Sequence, residues 1–351
     1  MTTPTGAIKF SDITTEFGTP TGKNLGAFRV SQTIVGQSWP LDAGVPTSGP
    51  ISFSQLQGKT LNVVIDSGTT GGDEYNVTLT SYFPSKATAV GGFYTFPGTL
   101  SSLGGKKYYV YLRKDYGGSA SVTTSVKSGA WPTGSTLNVV VSNSATIWGR
   151  GGNGGGGANG GAGTYGGGGG TGLNSIGFSY SANLTISSGS RIIAGFGGGG
   201  GGGGGYSNPD PGPYDPSFGG GGGGGGQGNP GGAAGSAGIV GNPGNPGNAG
   251  TVGSKTSGGN GGAQGCFPQI NGSGGGGGGG GGITFGYGVG CQGGGWVSGG
   301  NGSVTSGGGG GGTGGGGGGT GSAILQNGAT VTVSNGGYCY PSATPVTAAF
   351  T

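Results

Sequence analysis

The sequence predicts a mostly β fold with very little α-helix, joined to a glycine-rich bundle or sandwich of polyglycine II helices. Three observations carry this reading. Glycine supplies 107 of the 351 residues, and 86 of them fall in residues 151–351. Where glycine is sparse, as at 107–114 (KYYVYLRK), apolar and polar residues alternate with period two, the mark of a half-buried strand. Where it is dense, it forms pure runs or strict triplets, and three residues make one turn of a polyproline-type helix.

Composition narrows the function classes. Charged residues are 6% of the chain and histidine is absent. Acid–base catalysis at neutral pH leans on histidine, and metal sites lean on histidine, cysteine and carboxylates. The chain is therefore expected to be no enzyme and to hold no metal or cofactor. The whole net charge of +4 belongs to residues 1–150; residues 151–351 carry Arg191, Lys255, Asp210 and Asp215 and balance to zero. Such a segment has nothing with which to neutralise phosphates, so no nucleic-acid partner is expected. Residues 1–6 are polar and no apolar h-region follows, so no signal peptide is expected. No apolar run of about 18 residues predicts membrane insertion. The cysteines, Cys266, Cys291 and Cys339, fit no zinc spacing; buried or loop thiols and one loop-bridging disulfide both remain open.

Three parts follow along the chain. Residues 1–58 contain a repeated motif, GAIKFSDI at 6–13 and GPISFSQL at 49–56. In each copy a strand-like stub leads to a serine suited to cap a short helix, and Gly18 suits the stop of the first. This part reads as an attachment module whose candidate contacts are Ile8, Phe10, Ile13, Phe17, Ile51, Phe53 and Leu56. Residues 59–130 read as a small antiparallel β-sandwich. Its Lys106/Lys107 pair among tyrosines reads as a solvated strand edge rather than an RNA-stacking site. Residues 131–351 hold a thrice-repeated unit, at 136–148, 183–196 and 329–335, read as β-hairpins that frame the glycine tracts.

Pure glycine runs occupy 166–170, 197–205, 219–226, 274–282, 307–312 and 314–319; triplets run from Gly151 to Gly172 and from Gly232 to Gly253. A flexible linker of this length would be unusual. Collagen needs unbroken triplets with abundant proline, and silk-like repeats would recur in register. In a polyglycine II bundle the N–H and C=O groups point outward and must find partners. A helix surrounded on every side then needs pure glycine, while one at the edge needs glycine only on its inner side. A Gly→Val change at Gly201 or Gly278 should abolish folding, and a swap at Asn242 should be tolerated.

The runs at 197–205, 219–226, 274–282 and 307–319, with aromatic-bearing segments between them, resemble the receptor-recognising tip adhesins of T-even-type bacteriophages. IKFSDITTEFG (8–18) and GPISFSQLQGKTLNVV (49–64) are similar to stretches of tail-fibre and other structural proteins of tailed phages, notably those of cyanobacterial hosts. The resemblance implies a virion tail-fibre or tail-tip protein that recognises a bacterial surface protein or glycan. It would dock on other virion proteins, as a homotrimer or as a monomer on a trimeric fibre. In a rigid scaffold, recognition falls to the interruptions. The candidate receptor-binding rings are Tyr206, Tyr214, Phe218, Phe267, Phe285, Tyr287, Trp296, Tyr338 and Tyr340. Asn208, Asp210 and Asp215 could ligate calcium, but solvated turn residues suit them better. The alternatives are a purely structural virion or filament protein and an ice-binding protein; the mixed triplet residues lack the threonine rows that the latter would need.

Overall fold

The computed structural model describes residues 2–22, 24–119, 123–160, 164–206, 217–240, 244–264, 314–342 and 346–347. An eight-residue helix, α1 (Phe10–Phe17), is the α-helix among them, so the chain is mostly β with very little α-helix. A hairpin, β1 (Ser31–Ile34) and β2 (Gln37–Pro40), precedes the main body. The strands that follow wind as a three-sided parallel solenoid. Its first coil is β3 (Asn62–Asp66), β4 (Glu74–Tyr75) and β5 (Val77–Thr78). After β6 (Ala87–Ala89), the second is β7 (Lys107–Leu112), β8 (Tyr116–Gly117) and β9 (Thr124–Lys127). The third is β10 (Thr136–Val141), β11 (Thr146–Trp148) and β12 (Asn174–Phe178).

The fourth coil begins with β13 (Ala182–Ile186) and β14 (Arg191–Ile193). Three short strands intervene, β15 (Gly205–Tyr206), β16 (Ser217–Phe218) and β17 (Gly244–Asn245), before β18 (Ile324–Gln326) closes the coil. The fifth is β19 (Val331–Asn335), β20 (Tyr338–Tyr340) and β21 (Val346–Thr347). Corresponding strands stack into three sheets. In the first, Ile65, Val110, Val139, Leu184 and Val333 stand opposite one another in parallel register. Tyr116, Ile147, Ile192 and Cys339 do so in the second, and Val77, Val126, Ile176 and Ile324 in the third. These columns fill the interior, where all members but Val77, Val333 and Cys339 are almost fully buried.

This corrects two expectations. Residues 59–130 are not an antiparallel sandwich: β3 and β7 pair in parallel, and β7 pairs with β10 across the boundary at 130. The repeated unit at 136–148, 183–196 and 329–335 is not a set of hairpins either. The first two copies are each one coil's first and second strands, and the third is the first strand of the fifth coil, whose second strand follows at Tyr338–Tyr340; each pairs with the copies beside it. Period-two alternation marks a buried face without choosing between local and distant partners.

The amino-terminal segment packs on the first-coil end. In both copies of its motif the capping residue lies before the phenylalanine rather than at the serine after it. The Lys9 N–H donates to Asp12 Oδ2 at 2.8 Å, and the Ser52 N–H to Gln55 Oε1 at 2.8 Å. Of the candidate attachment residues, Ile13, Phe17 and Leu56 are fully buried in the core, and Ile8, Phe10 and Ile51 pack against it. Phe53 is exposed. A solenoid end must be covered, and the buried three serve that purpose. Lys106 is not at a solvated edge: it is buried and paired with Glu16 at 2.8 Å, while Lys107 pairs with Asp42 at 2.5 Å.

The glycine tracts leave the solenoid at one corner, between its second and third sheets. The first and second tracts (149–160 and 164–173) lie between β11 and β12. The third to eighth (194–204, 219–228, 231–240, 246–254, 257–264 and 314–321) lie between β14 and β18. Their hydrogen bonds recur every third residue. Gly152, Gly155 and Ala158 donate to Phe196, Gly199 and Gly202, while Gly151, Gly154, Gly157 and Gly160 donate to Pro230, Ala233, Ser236 and Ile239, at 2.8–3.0 Å. This is the bonding that packed helices of three residues per turn require. The fourth tract is bonded to the first, third, fifth, sixth and seventh; its residues are all buried and 219–226 are all glycine. At the edge, Gly232, Gly235 and Gly238 of the fifth tract are buried while Ala233, Ser236 and Ile239 are exposed. A Cβ on Gly201 would run into the Gly156 carbonyl; Gly278 and Asn242 lie outside the described residues.

Candidate functional site: the outer pole of the glycine lattice

The register of the tracts fixes their directions. The first, third, fifth and seventh run away from the solenoid, and the second, fourth, sixth and eighth run back. The described chain leaves the outer pole at Gly160, Tyr206, Val240 and Gln264, and re-enters at Thr164, Ser217, Gly244 and Gly314. The described ends of all four outer connections therefore lie at one pole. The opposite pole is joined to the solenoid and closed by the turns after Gly228 and Ser254.

Local bonds hold the outer pole in place. The Ile239 N–H donates to Asn159 Oδ1 at 3.1 Å, and Thr164 Oγ1 donates to the Asn159 carbonyl at 2.5 Å. The Gly204 N–H reaches the Thr164 carbonyl at 3.2 Å. The strands β15, β16 and β17 tie the third, fourth and sixth tracts together there. On this frame Tyr165 is 72% exposed and Ile239 68%. Neither is a loose end: Ile239 is itself bonded to Asn159 and Gly160 of the first tract, and Tyr165 follows Thr164, which is bonded to Asn159. No charged side chain stands among the described residues of this pole; Arg150 and Lys255 sit at the base. An aromatic ring and a branched aliphatic on an ordered surface whose described residues carry no charge suit contact with an apolar or sugar face.

The predicted rings are distributed differently. Tyr206 lies at the outer pole by its backbone. Phe218 is there too but fully buried, so it packs the pole rather than presenting a ring. Tyr338 and Tyr340 lie at the base, packed on the cluster of Trp148, Ile193 and Phe196. The Phe196 and Tyr340 rings stack at 5.1 Å, which makes both tyrosines part of the joint. Tyr214, Phe267, Phe285, Tyr287 and Trp296 lie outside the described residues, as do Asn208, Asp210, Asp215, Cys266 and Cys291. Cys339 is a free thiol whose pKa burial pushes up to about 12. Among the described residues no group of three or more histidines, cysteines or carboxylates could hold a metal ion. No helix among them is long and apolar enough to cross a membrane.

Sequence reasoning passed over Tyr165 and Ile239, though the signal was there. Tyr165 is the one aromatic residue between Gly151 and Gly172, and Ile239–Val240 is the one adjacent pair of aliphatic side chains larger than alanine in the triplets from Gly232 to Gly253.

The base is held by polar contacts to the solenoid. Asn229 Nδ2 donates to Asp73 Oδ2 at 2.9 Å, and the Tyr75 hydroxyl donates to Asn229 Oδ1 at 3.2 Å. Lys255 pairs with Asp73 and, at 3.5 Å, with Asp115. Hydrogen bonds from Lys255, Asn229 and Tyr75 hold the Asp73 carboxyl below its usual range, although its partial burial acts the other way.

Comparison with known proteins finds no matching family model and no matching curated protein. Among solved structures the chain is similar to the crystal structure of the gp37-gp38 adhesin tip complex of the bacteriophage S16 long tail fibre. The match has 18% sequence identity and a TM-score of 0.36, and covers 95% of this chain and 96% of that one.

Proposed function

We propose that this chain is a receptor-recognising adhesin of a bacteriophage tail fibre or tail tip, acting by binding and not by catalysis. The observation that carries the reading is the outer pole: an ordered lattice brings the described ends of four connections to one end, where Tyr165 and Ile239 stand exposed on fixed backbone. The solenoid would face the virion, with Phe53 exposed on its amino-terminal segment, and the lattice would present its pole to a bacterial surface protein or glycan. With no charge among the described pole residues, affinity would come from shape and ring contacts rather than from long-range steering.

The test is adsorption of the phage that carries this chain. The double substitution Tyr165→Ser with Ile239→Ser should slow adsorption by roughly tenfold or more, since truncating central aromatic or aliphatic contacts typically costs above 1 kcal/mol. The melting temperature of the purified chain should not change, because both side chains are solvent-exposed. Unchanged adsorption would reject the pole as the recognition surface and favour a purely structural virion protein.

A further inference from the structure

The outer face of the first solenoid sheet carries a second, separate feature. The β1–β2 hairpin covers this face only over the first two coils, where Trp39 packs on Tyr109 at 4.5 Å and the Tyr111 hydroxyl donates to Gln37 Oε1 at 3.1 Å. Over the third to fifth coils the face is bare. Two cavities lie on it, one at each end of the third-coil strand. One, of about 250 Å³, is lined by Val35, Gln37, Tyr111, Arg113, Val140 and Asn143 among others. The other, of about 280 Å³, includes Ser135, Thr136, Asn183 and Thr332. Between them Asn183 Nδ2 donates to Asn138 Oδ1 at 3.0 Å, and Asn138 Nδ2 to the Tyr108 carbonyl at 3.3 Å. The two ends of this trough, near residues 135 and 143, are roughly 25 Å apart at the rise of a strand.

We propose that this trough binds a neutral oligosaccharide chain. Its polar lining consists of amides and hydroxyls, which can each donate and accept, as sugar hydroxyls demand. Val35 and Val140, both half-buried, offer apolar surface to the C–H face of a sugar ring. An acidic glycan has no free cation to meet: Arg113 is the only charged residue lining either cavity, and its Nη1 is held by Asp66 at 2.8 Å. Along the line between the two cavities an extended peptide is disfavoured, because the backbone groups of the third- and fourth-coil strands are spent on coil-to-coil bonds; the sheet's open edge is the fifth-coil strand β19, to one side of that line. One rim is built at a conformational cost: Val35 sits at φ +53° in the hairpin turn, a region that β-branched residues rarely adopt. Backbone held in such a state gathers at binding sites. This site is independent of the outer pole, and each can fail without the other.

The experiment titrates the full chain with maltohexaose, cellohexaose, mannohexaose and, as the acidic control, a hyaluronan hexasaccharide, using saturation-transfer NMR for detection. At least one neutral hexasaccharide should bind with a Kd of about 1 mM or tighter, and the acidic one should not. Val140→Trp, which fills the floor, and Asn183→Ala, on the exposed ladder, should each weaken that binding about tenfold with the melting temperature unchanged. Tyr165→Ser, at the lattice pole, should leave it intact. The proposal is overturned if no neutral hexasaccharide binds at about 10 mM, if the acidic one binds equally well, or if binding survives both trough substitutions.

Discussion

Replacing Gly223 by alanine tests the lattice at its most enclosed point. The Gly223 N–H donates to Gly155 at 2.8 Å, and its carbonyl accepts from Gly235 at 2.8 Å. A Cβ there would lie 2.6 Å from the Gly199 carbonyl carbon and 2.9 Å from the Gly200 oxygen. Ordinary contact is about 3.5 Å, so the third tract must retreat from the fourth by about 1 Å. The two tracts share three bonds, from Phe196, Gly199 and Gly202 to Gln227, Gly224 and Gly221, at 2.8–2.9 Å. Losing them costs about 3 kcal/mol at the net worth of a hydrogen bond, and roughly 6–18 kcal/mol if all six buried groups stay unpaired. Either figure is a large share of the ~5–15 kcal/mol that holds a domain folded. The matched control is Gly316→Ala, where an added Cβ meets nothing within 4 Å. It should be neutral, or stabilising by about 0.4–1 kcal/mol through the unfolded chain. Thermal melts followed by circular dichroism give the readout: Gly223→Ala should lower the midpoint by at least about 6 °C, and Gly316→Ala should not lower it. If the two variants melt within about 1 °C of each other, packing of three-residue helices is not what demands glycine here.

Two further substitutions probe the solenoid. Burial raises the Glu16 pKa despite Lys106, whose attraction lowers it, so Lys106→Met removes the main counterweight and lifts that pKa further. A folded-state pKa above the unfolded value means stability is fullest below the unfolded pKa of about 4.5 and is lost as pH rises through the folded one. Lys106→Met should therefore cost about 3–5 kcal/mol at pH 7 and clearly less at pH 4; urea melts giving the same cost at both would refute it. At the hairpin turn, Val35→Asn creates an Asn-Gly pair suited to two consecutive positive φ values, +53° and +70°. It should stabilise the chain by about 1–2 kcal/mol, read as a higher urea midpoint.

The glycine arithmetic was legible because the lattice has a local rule. What an enclosed tract requires is written in its own residues: 219–226 are pure glycine and bonded to five other tracts, while 232–240 keep glycine at every third place and leave the rest exposed or half-buried. The converse does not hold, since the pure runs 166–170 and 314–319 lie exposed or half-buried at the edge. The solenoid had no such rule. Leu137 pairs with Ala182, and Ala182 with Val331, so the coil repeat is broken by glycine insertions of very different length. The copies at 136–148, 183–196 and 329–335 showed that a unit recurs, but a hairpin arm and a solenoid strand share the same alternation. At the candidate site, rings were sought in the segments between the runs, which drew in Tyr338 and Tyr340 from the base. Tyr165 and Ile239 sit inside triplet tracts, and only the direction of each tract places them at the pole.

The junction explains how so much glycine can be ordered. Fixing glycine costs more backbone entropy than fixing any other residue, and an isolated tract has no internal hydrogen bonds to offset this. The solenoid supplies partners at the start. The Ala194 N–H donates to Tyr340 at 3.0 Å, Gly149 to Ile193 at 2.8 Å, Asn229 to Gly149 at 3.1 Å, and Gly118 to Asn229 at 2.8 Å. One ladder thus passes from the fifth coil to the second across the corner, and the turn after Gly228 occupies a rung of it. Lys255, against Asp73 and Asp115, sets the next turn beside it. The first and third tracts therefore begin, and the fourth ends, with a register already chosen by a solenoid rung. A slip by one residue would turn the wrong third of the fifth tract inward, driving the Cβ of Ala233 or Ser236 into the fourth. The solenoid is in this sense the template of the lattice, and the fixed geometry of the outer pole follows from rungs laid down at the other end.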